Sequence, residues 1–238
     1  MNLPESKNLS LYWDKYSFFS LKKSDNNKEG ILKKMIDLLQ NLKEKKYILD
    51  ILQTRRKLIH EKRKPIINLK MKVRSKLLVG AGSPSPVEVG ITLSRNYGVP
   101  VIPGSAIKGT FASFLYENGE FDKFSHIFGD EEKEGALIFL DAIPVSDLRL
   151  SVDIINPHFQ PYYMQEKSPP NDWYDPVPVK YIVVGEGIFQ FTVLEDLERS
   201  IKDSEKKEIK ERFIEMLKVY GLGAKTNYGY GRFNDVLS

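Results

Sequence analysis

The sequence predicts an α+β fold, in which helices pack against an antiparallel sheet. Three observations support this prediction. Apolar residues recur at three- and four-residue spacing within residues 25–64 and 203–220, as in amphipathic helices. Residues 69–74 alternate between apolar and basic side chains, which is typical of a strand with one buried face. The 13 phenylalanines and 12 tyrosines can fill a core, so the composition excludes a chain that is disordered throughout.

Composition also excludes several kinds of chemistry and indicates the cellular compartment of the protein. The sequence has no cysteine, which excludes disulfides, cysteine zinc sites, thiol catalysis and iron–sulfur clusters. No apolar run approaches the ~18–20 residues that span a bilayer, so we expect no membrane partner. The N-terminal segment lacks the basic start and apolar stretch of a secretory signal. We therefore expect a cytoplasmic protein.

Charge is distributed unevenly along the chain. Residues 1–75 carry 19 lysines and arginines against 8 acidic residues, whereas residues 76–238 carry 17 against 24. A basic block of this kind indicates a polyanionic partner, because phosphate contacts dominate nucleic-acid affinity. The alternative is a lysine-rich helix surface that contacts only solvent.

Residues 1–65 are predicted to form a basic helical part. Within it, residues 25–64 form one long helix or two shorter ones, with an apolar stripe and a lysine-rich face. Pro65 ends the helical pattern, because the residue before a proline avoids the α region. We expect the apolar stripe to be buried.

Residues 66–238 are predicted to form the α+β domain. Its elements follow in this order: a strand at 69–74, a loop at 80–103, a helix from Gly104, a short helix at 121–128, a buried strand at 135–145, an ordered insertion loop at 156–180, strands at 180–185 and 187–194, a helix at 203–220 and a strand near 231–237. The order βαββαβ with insertions is that of the ferredoxin-like or RNA-recognition-motif fold. Such a fold leaves one sheet face available for ligands.

The first candidate binding segment is residues 102–109, which read IPGSAIKG. Ser105 can cap a helix N-terminus, where Gly104 and its neighbours offer free backbone N–H groups to an anion. Lys108 lies one turn further and can add a positive charge for a phosphate. The alternative is an ordinary capped helix with a surface lysine.

The second candidate segment is residues 221–232, where glycines are interleaved with polar, basic and aromatic residues: Gly221, Gly223, Lys225, Thr226, Asn227, Tyr228, Gly229, Gly231 and Arg232. Glycine permits close approach of another chain, Lys225 and Arg232 supply charge, and Tyr228 can stack on a base. The alternative is a helix cap followed by a glycine-rich hairpin. A nucleoside-triphosphate loop is excluded, because Ala224 stands where that motif needs glycine.

These segments, together with two others, resemble the RAMP superfamily of CRISPR-associated proteins. More narrowly they resemble the sixth-subunit family of Cmr (type III-B) effector complexes. The matching pieces are IPGSAIKG (102–109), FGD (128–130) followed by GALIFLDAIP (135–144), NPHFQPYY (156–163) and GLGAKTNYGYG (221–231). They span about residues 100–232 and leave the N-terminal helical part uncovered.

The resemblance implies a modified RNA-recognition-motif fold and a non-catalytic RNA-binding subunit. Such a subunit holds the 3′ part of the CRISPR RNA, and its partners are that RNA, the complementary target RNA and other Cmr-complex subunits. RNA cleavage in the family is assigned to a different, repeated subunit. The resemblance places RNA near both candidate segments, including Gly104, Ser105 and Lys108 in the first.

Catalysis by this chain is the alternative to a non-catalytic role. A metal-free ribonuclease needs a general acid and base at the scissile phosphate. Of the three histidines, His158 is the strongest candidate, and a standalone ribonuclease that processes CRISPR transcripts would use it. Asp172 and Asp175 do not form a convincing metal motif, and we interpret Asp141 as structural. The sequence therefore predicts no catalytic residue, no metal site and no cofactor.

A protein-only adaptor is a third possibility, but it leaves the glycine-rich segment unexplained.

Overall fold

The computed structural model describes residues 8–18, 21, 28–156, 169 and 178–236. Most of the predicted insertion loop, including His158, Asp172 and Asp175, lies outside the described residues. The described α-helices are α1 (Leu9–Leu11, continued by a π-helical turn at Tyr12–Tyr16), α2 (Lys28–Gln40), α3 (Lys45–Lys62), α4 (Gly104–Glu117), α5 (Phe121–Phe128) and α6 (Asp203–Glu215, continued by a π-helical turn at Met216–Tyr220). A 3-10 turn spans Thr226–Tyr228.

The described strands form two antiparallel sheets. Their bounds are β1 (Pro65–Val73), β2 (Leu137–Phe139), β3 (Ile143–Pro144), β4 (Arg149–Ile155), β5 (Val179–Glu186), β6 (Ile188–Glu195) and β7 (Phe233–Asp235). The main sheet has the order β2–β6–β1–β7, with β3 also paired to β6, and β4 pairs with β5 in a separate hairpin. With β2 and β3 counted as one interrupted strand, the main sheet has the ferredoxin-like order, which confirms the predicted α+β fold.

The predicted strand at 135–145 is interrupted in the structure. Its two ends pair with β6, but Ala142 in its middle exchanges backbone hydrogen bonds with Ile102, in the loop before α4. This second pairing explains why one predicted strand becomes β2 and β3. The hairpin strand β4 was not predicted at all.

One face of the main sheet packs against α4 and α6. Phe191 on β6 lies against Phe213 on α6, with ring centres 6.1 Å apart, and Phe213 lies 5.4 Å from Phe111 on α4. All three side chains are buried. Successive strand residues point to opposite faces, so Thr192 belongs to the other side of the sheet.

The other face is not entirely open, which corrects the expectation from the fold class. Thr192 is buried, and its hydroxyl lies 3.4 Å from Nε2 of His60 on α3. Leu52 of α3 packs with Ile143 of β3. At β1 the same face of the sheet is uncovered, because Lys70 and Lys72 are exposed. The basic outer face predicted for β1 is therefore present, next to a helix that covers β6.

The N-terminal segment packs on the hairpin. Contacts join α2 to both β4 and β5, and the apolar residues Ile31, Leu32, Met35 and Leu39 of α2 are buried in the main core. Residues 28–62 form two helices, one of the two alternatives that the spacing allowed. No described helix has the length and apolar character needed to cross a membrane.

Candidate nucleic-acid interface

The glycine-rich segment 221–232 forms a closed loop between α6 and β7. Leu222 N–H donates to the carbonyl of Gly231 at 2.9 Å, which joins the two ends of the loop. The loop also pairs with the segment that follows β1. Ala224 N–H donates to the Leu78 carbonyl at 2.7 Å, and Gly231 N–H donates to the Lys76 carbonyl at 2.9 Å. The chain's own backbone therefore occupies the inner side of the loop.

Two of the glycines are required by this packing. Gly223 has a φ of 96°, and a Cβ there would overlap the carbonyl oxygen of Leu78. Gly231 has a φ of 70°, and a Cβ there would overlap the carbonyl oxygen of Leu222. In the structure these glycines permit close approach of this chain's own backbone, and their predicted contact with RNA stays a prediction. Gly229 differs, because a Cβ there would meet no atom within 4 Å.

Arg232 holds the loop closed. Its Nη1 donates to the carbonyls of Tyr220, Thr226 and Tyr230, at 2.9, 3.3 and 3.3 Å. The Tyr220 carbonyl lies at the C-terminus of the α6 segment, where a cation stabilises the helix dipole. The sequence predicted that this guanidinium neutralises a phosphate. The structure gives it a role in the loop itself, and its contact with RNA stays a prediction.

The outer side of the loop presents the remaining candidate residues. Tyr228 is 84% exposed, and Asn227 and Gly229 are exposed beside it. Lys225 has a φ of 62°, and its Nζ lies 5.1 Å from the centre of the Tyr181 ring. A left-handed backbone conformation is unusual for lysine. The arrangement offers one half-buried cation and one free aromatic ring on the same turn.

A polar cluster beneath the loop fixes it to the β4–β5 hairpin. The Tyr230 hydroxyl donates to the carboxylate of Asp153 on β4 and lies 3.1 Å from the Tyr181 hydroxyl on β5. Lys76 forms an ion pair with the same carboxylate, at 2.9 Å. Burial and the bond to Asp153 raise the pKa of Tyr230. Burial alone would raise the pKa of Asp153, but the hydrogen bonds from Tyr230 and Lys76 lower it.

The segment 102–109 is organised differently from the prediction. Pro103, not Ser105, occupies the cap position of α4 and makes no side-chain capping bond. The Asp141 carboxylate accepts a 2.8 Å hydrogen bond from Gly104 N–H. Because a carboxylate of the chain already lies at this helix N-terminus, the terminus is less available to an external anion. The structural role inferred for Asp141 agrees with this bond.

Ser105 and Lys108 line a cavity of about 440 Å³ whose other charged residues are mostly acidic: Asp130, Lys133, Glu134 and Asp196. No described residue of the loop 221–232 lines this cavity. The two predicted segments therefore do not share one cavity in the described part of the chain. Of the two predicted segments, residues 221–232 have the more favourable charge for RNA, on the outer side of the loop.

A match to a known family model identifies the family of this chain. Residues 70–234 match the family model described as the RAMP superfamily, so the chain belongs to that family. The match includes both candidate segments and all strands of the main sheet in part or whole. The superfamily resemblance inferred from the sequence motifs is confirmed.

Two curated relatives give the narrower similarity. The chain is 32% identical over 232 residues to the CRISPR system Cmr subunit Cmr6 of Pyrococcus furiosus, across 68% of this chain and 66% of that protein. It is 29% identical over 178 residues to the Cmr6 subunit of Saccharolobus solfataricus, across 71% of this chain and 57% of that protein. The chain thus spans less than two thirds of the length of either relative.

A solved structure shows the same fold. A chain in the cryo-EM structure of the type III-B Cmr-beta complex bound to cognate target RNA matches with a TM-score of 0.68 and 22% identity. The match covers 90% of this chain and 74% of that chain. The structural match therefore covers more of this chain than the family model, which matches residues 70–234.

Gly223→Ala is expected to destabilise the chain more than Gly229→Ala. Both positions have a left-handed backbone, which costs an alanine about 1–2 kcal/mol, but only the Cβ at 223 also overlaps backbone. Urea unfolding of both variants measures the difference in free energy. Equal losses would contradict the backbone packing described for the inner side of the loop.

Tyr230→Phe is expected to flatten the loss of stability above about pH 10, the ordinary pKa of tyrosine. Because the folded chain raises the pKa of Tyr230, the unfolded chain releases this proton first as pH rises. The stabilisation is present below the unfolded pKa and is lost as pH rises toward the folded value. Urea unfolding across alkaline pH, with the exposed Tyr116→Phe as control, measures the slope. An unchanged slope in Tyr230→Phe would contradict the cluster.

Proposed function

We propose that this chain is a non-catalytic RNA-binding subunit of a type III-B CRISPR (Cmr) ribonucleoprotein effector complex. Its role is to help hold the 3′ part of the CRISPR RNA, next to other Cmr subunits and the complementary target RNA. The observation that carries the proposal is the 32% identity to a Cmr6 subunit over 68% of this chain. The geometry of the loop supports the proposed binding of RNA.

The proposed RNA contact is the outer side of the loop, at Lys225, Thr226, Asn227, Tyr228 and Gly229. Lys225 supplies charge for a phosphate, and Tyr228 supplies a free ring on which a base can stack. Gly221, Gly223, Gly231 and Arg232 act mainly by holding the loop in shape. Gly104, Ser105 and Lys108 are a weaker second contact, because acidic residues surround their cavity.

Assembly is the most direct test of the proposal. A tagged chain, expressed with its native neighbours, should purify in a multi-subunit particle that contains CRISPR RNA. The mass of the particle and sequencing of its RNA are the measurements. A chain that purifies alone and free of RNA under these conditions would argue against the proposal.

Lys225→Ala is expected to weaken RNA binding similarly for guides of different sequence. A phosphate contact is independent of sequence, and its loss on a single strand reduces the salt slope by about 0.7. Tyr228→Ala should cost about 1–3 kcal/mol if the ring stacks on a base. Salt titrations of RNA affinity, in the assembled complex if the free chain binds weakly, measure both effects.

Matched controls for these variants are Lys210→Ala and Tyr116→Ala, which remove an exposed lysine and a 73% exposed tyrosine elsewhere. Neither control should change the affinity or the salt slope. If Lys225→Ala and Tyr228→Ala both bind RNA like the parent chain, the loop is a structural cap and its RNA-binding role is wrong.

The purified chain is expected not to cleave RNA, with or without Mg²⁺. His126 forms an ion pair with Glu205 at 2.8 Å. His60, on α3, lies beside Thr192 of β6. Burial and the nearby charge of Arg56 lower the pKa of His60. Incubation with labelled CRISPR-repeat and guide-complementary RNA is the measurement. Cleavage that His158→Ala abolishes would instead support a standalone ribonuclease.

A further inference from the structure

A second cavity, of about 630 Å³, lies between α3, the loop at residues 92–97 and the segment that joins β2 to β3. Three arginines line it: Arg55 and Arg56 from α3, and Arg95 from the loop. Among the described residues, none of the loop 221–232 lines this cavity. It is therefore separate from the RNA contact proposed above.

Arg56 is the buried charge of this cavity, because its side chain is only 6% exposed. Its Nη2 donates to the backbone carbonyl of Asp141 at 2.7 Å. Its Nη1 is buried and has no acceptor among the described residues. Burial lowers the pKa of Arg56, and the negative charge of Asp141 opposes that change. A buried guanidinium with an unused donor is costly, and a bound anion would offset the cost.

Two exposed arginines add positive charge to the lining of the cavity. Arg55 is exposed, and its Nη1 donates to the Tyr97 hydroxyl at 2.7 Å. The guanidinium carbon of Arg55 lies 6.0 Å from the centre of the Tyr97 ring, so these two side chains hold each other in place. Arg95, in the loop at residues 92–97, is also exposed and lines the cavity. Asp141 is the one acidic residue in the described lining, and its carboxylate already binds Gly104 N–H.

We propose that this cavity binds a nucleoside phosphate, with the phosphate among the three arginines. Arginine pairs with phosphate oxygens in bidentate geometry, which lysine cannot reproduce. The volume falls in the range of about 300–1,000 Å³ that small-molecule sites occupy, and it exceeds the need of a bare phosphate. The Tyr97 ring and the apolar side chains of Leu52, Phe139 and Ile143 provide a wall for the base and sugar.

The first test compares three probes on the full chain by isothermal titration calorimetry: adenosine 5′-monophosphate, adenosine and inorganic phosphate. The nucleotide should bind more tightly than either part, because the cavity offers both arginines and an apolar wall. Absence of nucleotide binding, or binding no tighter than that of inorganic phosphate, would overturn the proposal.

The second test uses variants of the lining. Arg56→Gln should weaken nucleotide binding by at least about tenfold, as loss of a hydrogen bond to a charged group does. Arg95→Ala removes an exposed side chain and should weaken binding about two- to fivefold without harm to the fold. Lys57→Ala, on the same helix but outside the cavity lining, is the control and should bind like the parent. Parental affinity in both arginine variants would overturn the proposal.

A nucleoside phosphate can arrive free or as the end of an RNA strand. A short 5′-phosphorylated oligoadenylate is the competing probe. If it displaces the mononucleotide and binds more weakly to Arg56→Gln, the ligand is an RNA terminus; if it does not compete, the ligand is a free nucleotide. Because Lys210 lies outside both the cavity and the loop 221–232, Lys210→Ala should leave mononucleotide binding unchanged.

Discussion

β1 pairs with β6 along most of its length, and this pairing sets the positions of the helices, of β7 and of the candidate interface. β6 has both faces buried: Phe191 lies against the α4 and α6 layer, and Thr192 lies beneath α3. β1 positions β7 on its other side. The chain that leaves β1 then supplies the Lys76 and Leu78 carbonyls that receive the glycine-rich loop. The sheet thereby fixes the place of the candidate interface.

The loop has two sides with different physical roles. On the inner side, Gly223 and Gly231 let backbone pack on backbone, and Arg232 satisfies three carbonyls. On the outer side, Tyr228 N–H and Tyr230 N–H donate to the Lys225 carbonyl, and the Tyr228 ring is in solvent. A shape held by the chain itself costs little extra ordering when a ligand binds, which favours affinity.

The sequence predicted the elements whose periodicity is local. The helix that begins at Gly104, the short helix at 121–128 and the order of elements typical of the fold were predicted correctly. β4 was missed, although Leu150, Val152 and Ile154 alternate with polar residues and could have revealed it. Contacts between distant residues could not be read from spacing. Neither the fit of Gly223 against Leu78 nor the burial of Arg56 has a local signature, so neither could be predicted from the sequence.

The long separation of the central strands has a consequence for synthesis of the protein. Asn68 on β1 and Gln190 on β6, whose side chains share a hydrogen bond of 2.7 Å, are 122 positions apart. Such non-local contacts form slowly, because a long loop must close first. During synthesis on the ribosome, β1 has no main pairing partner until β6 emerges, and the glycine-rich loop emerges after β6. The loop can take its closed shape only after the chain has folded around β1, because its inner side binds the Lys76 and Leu78 carbonyls.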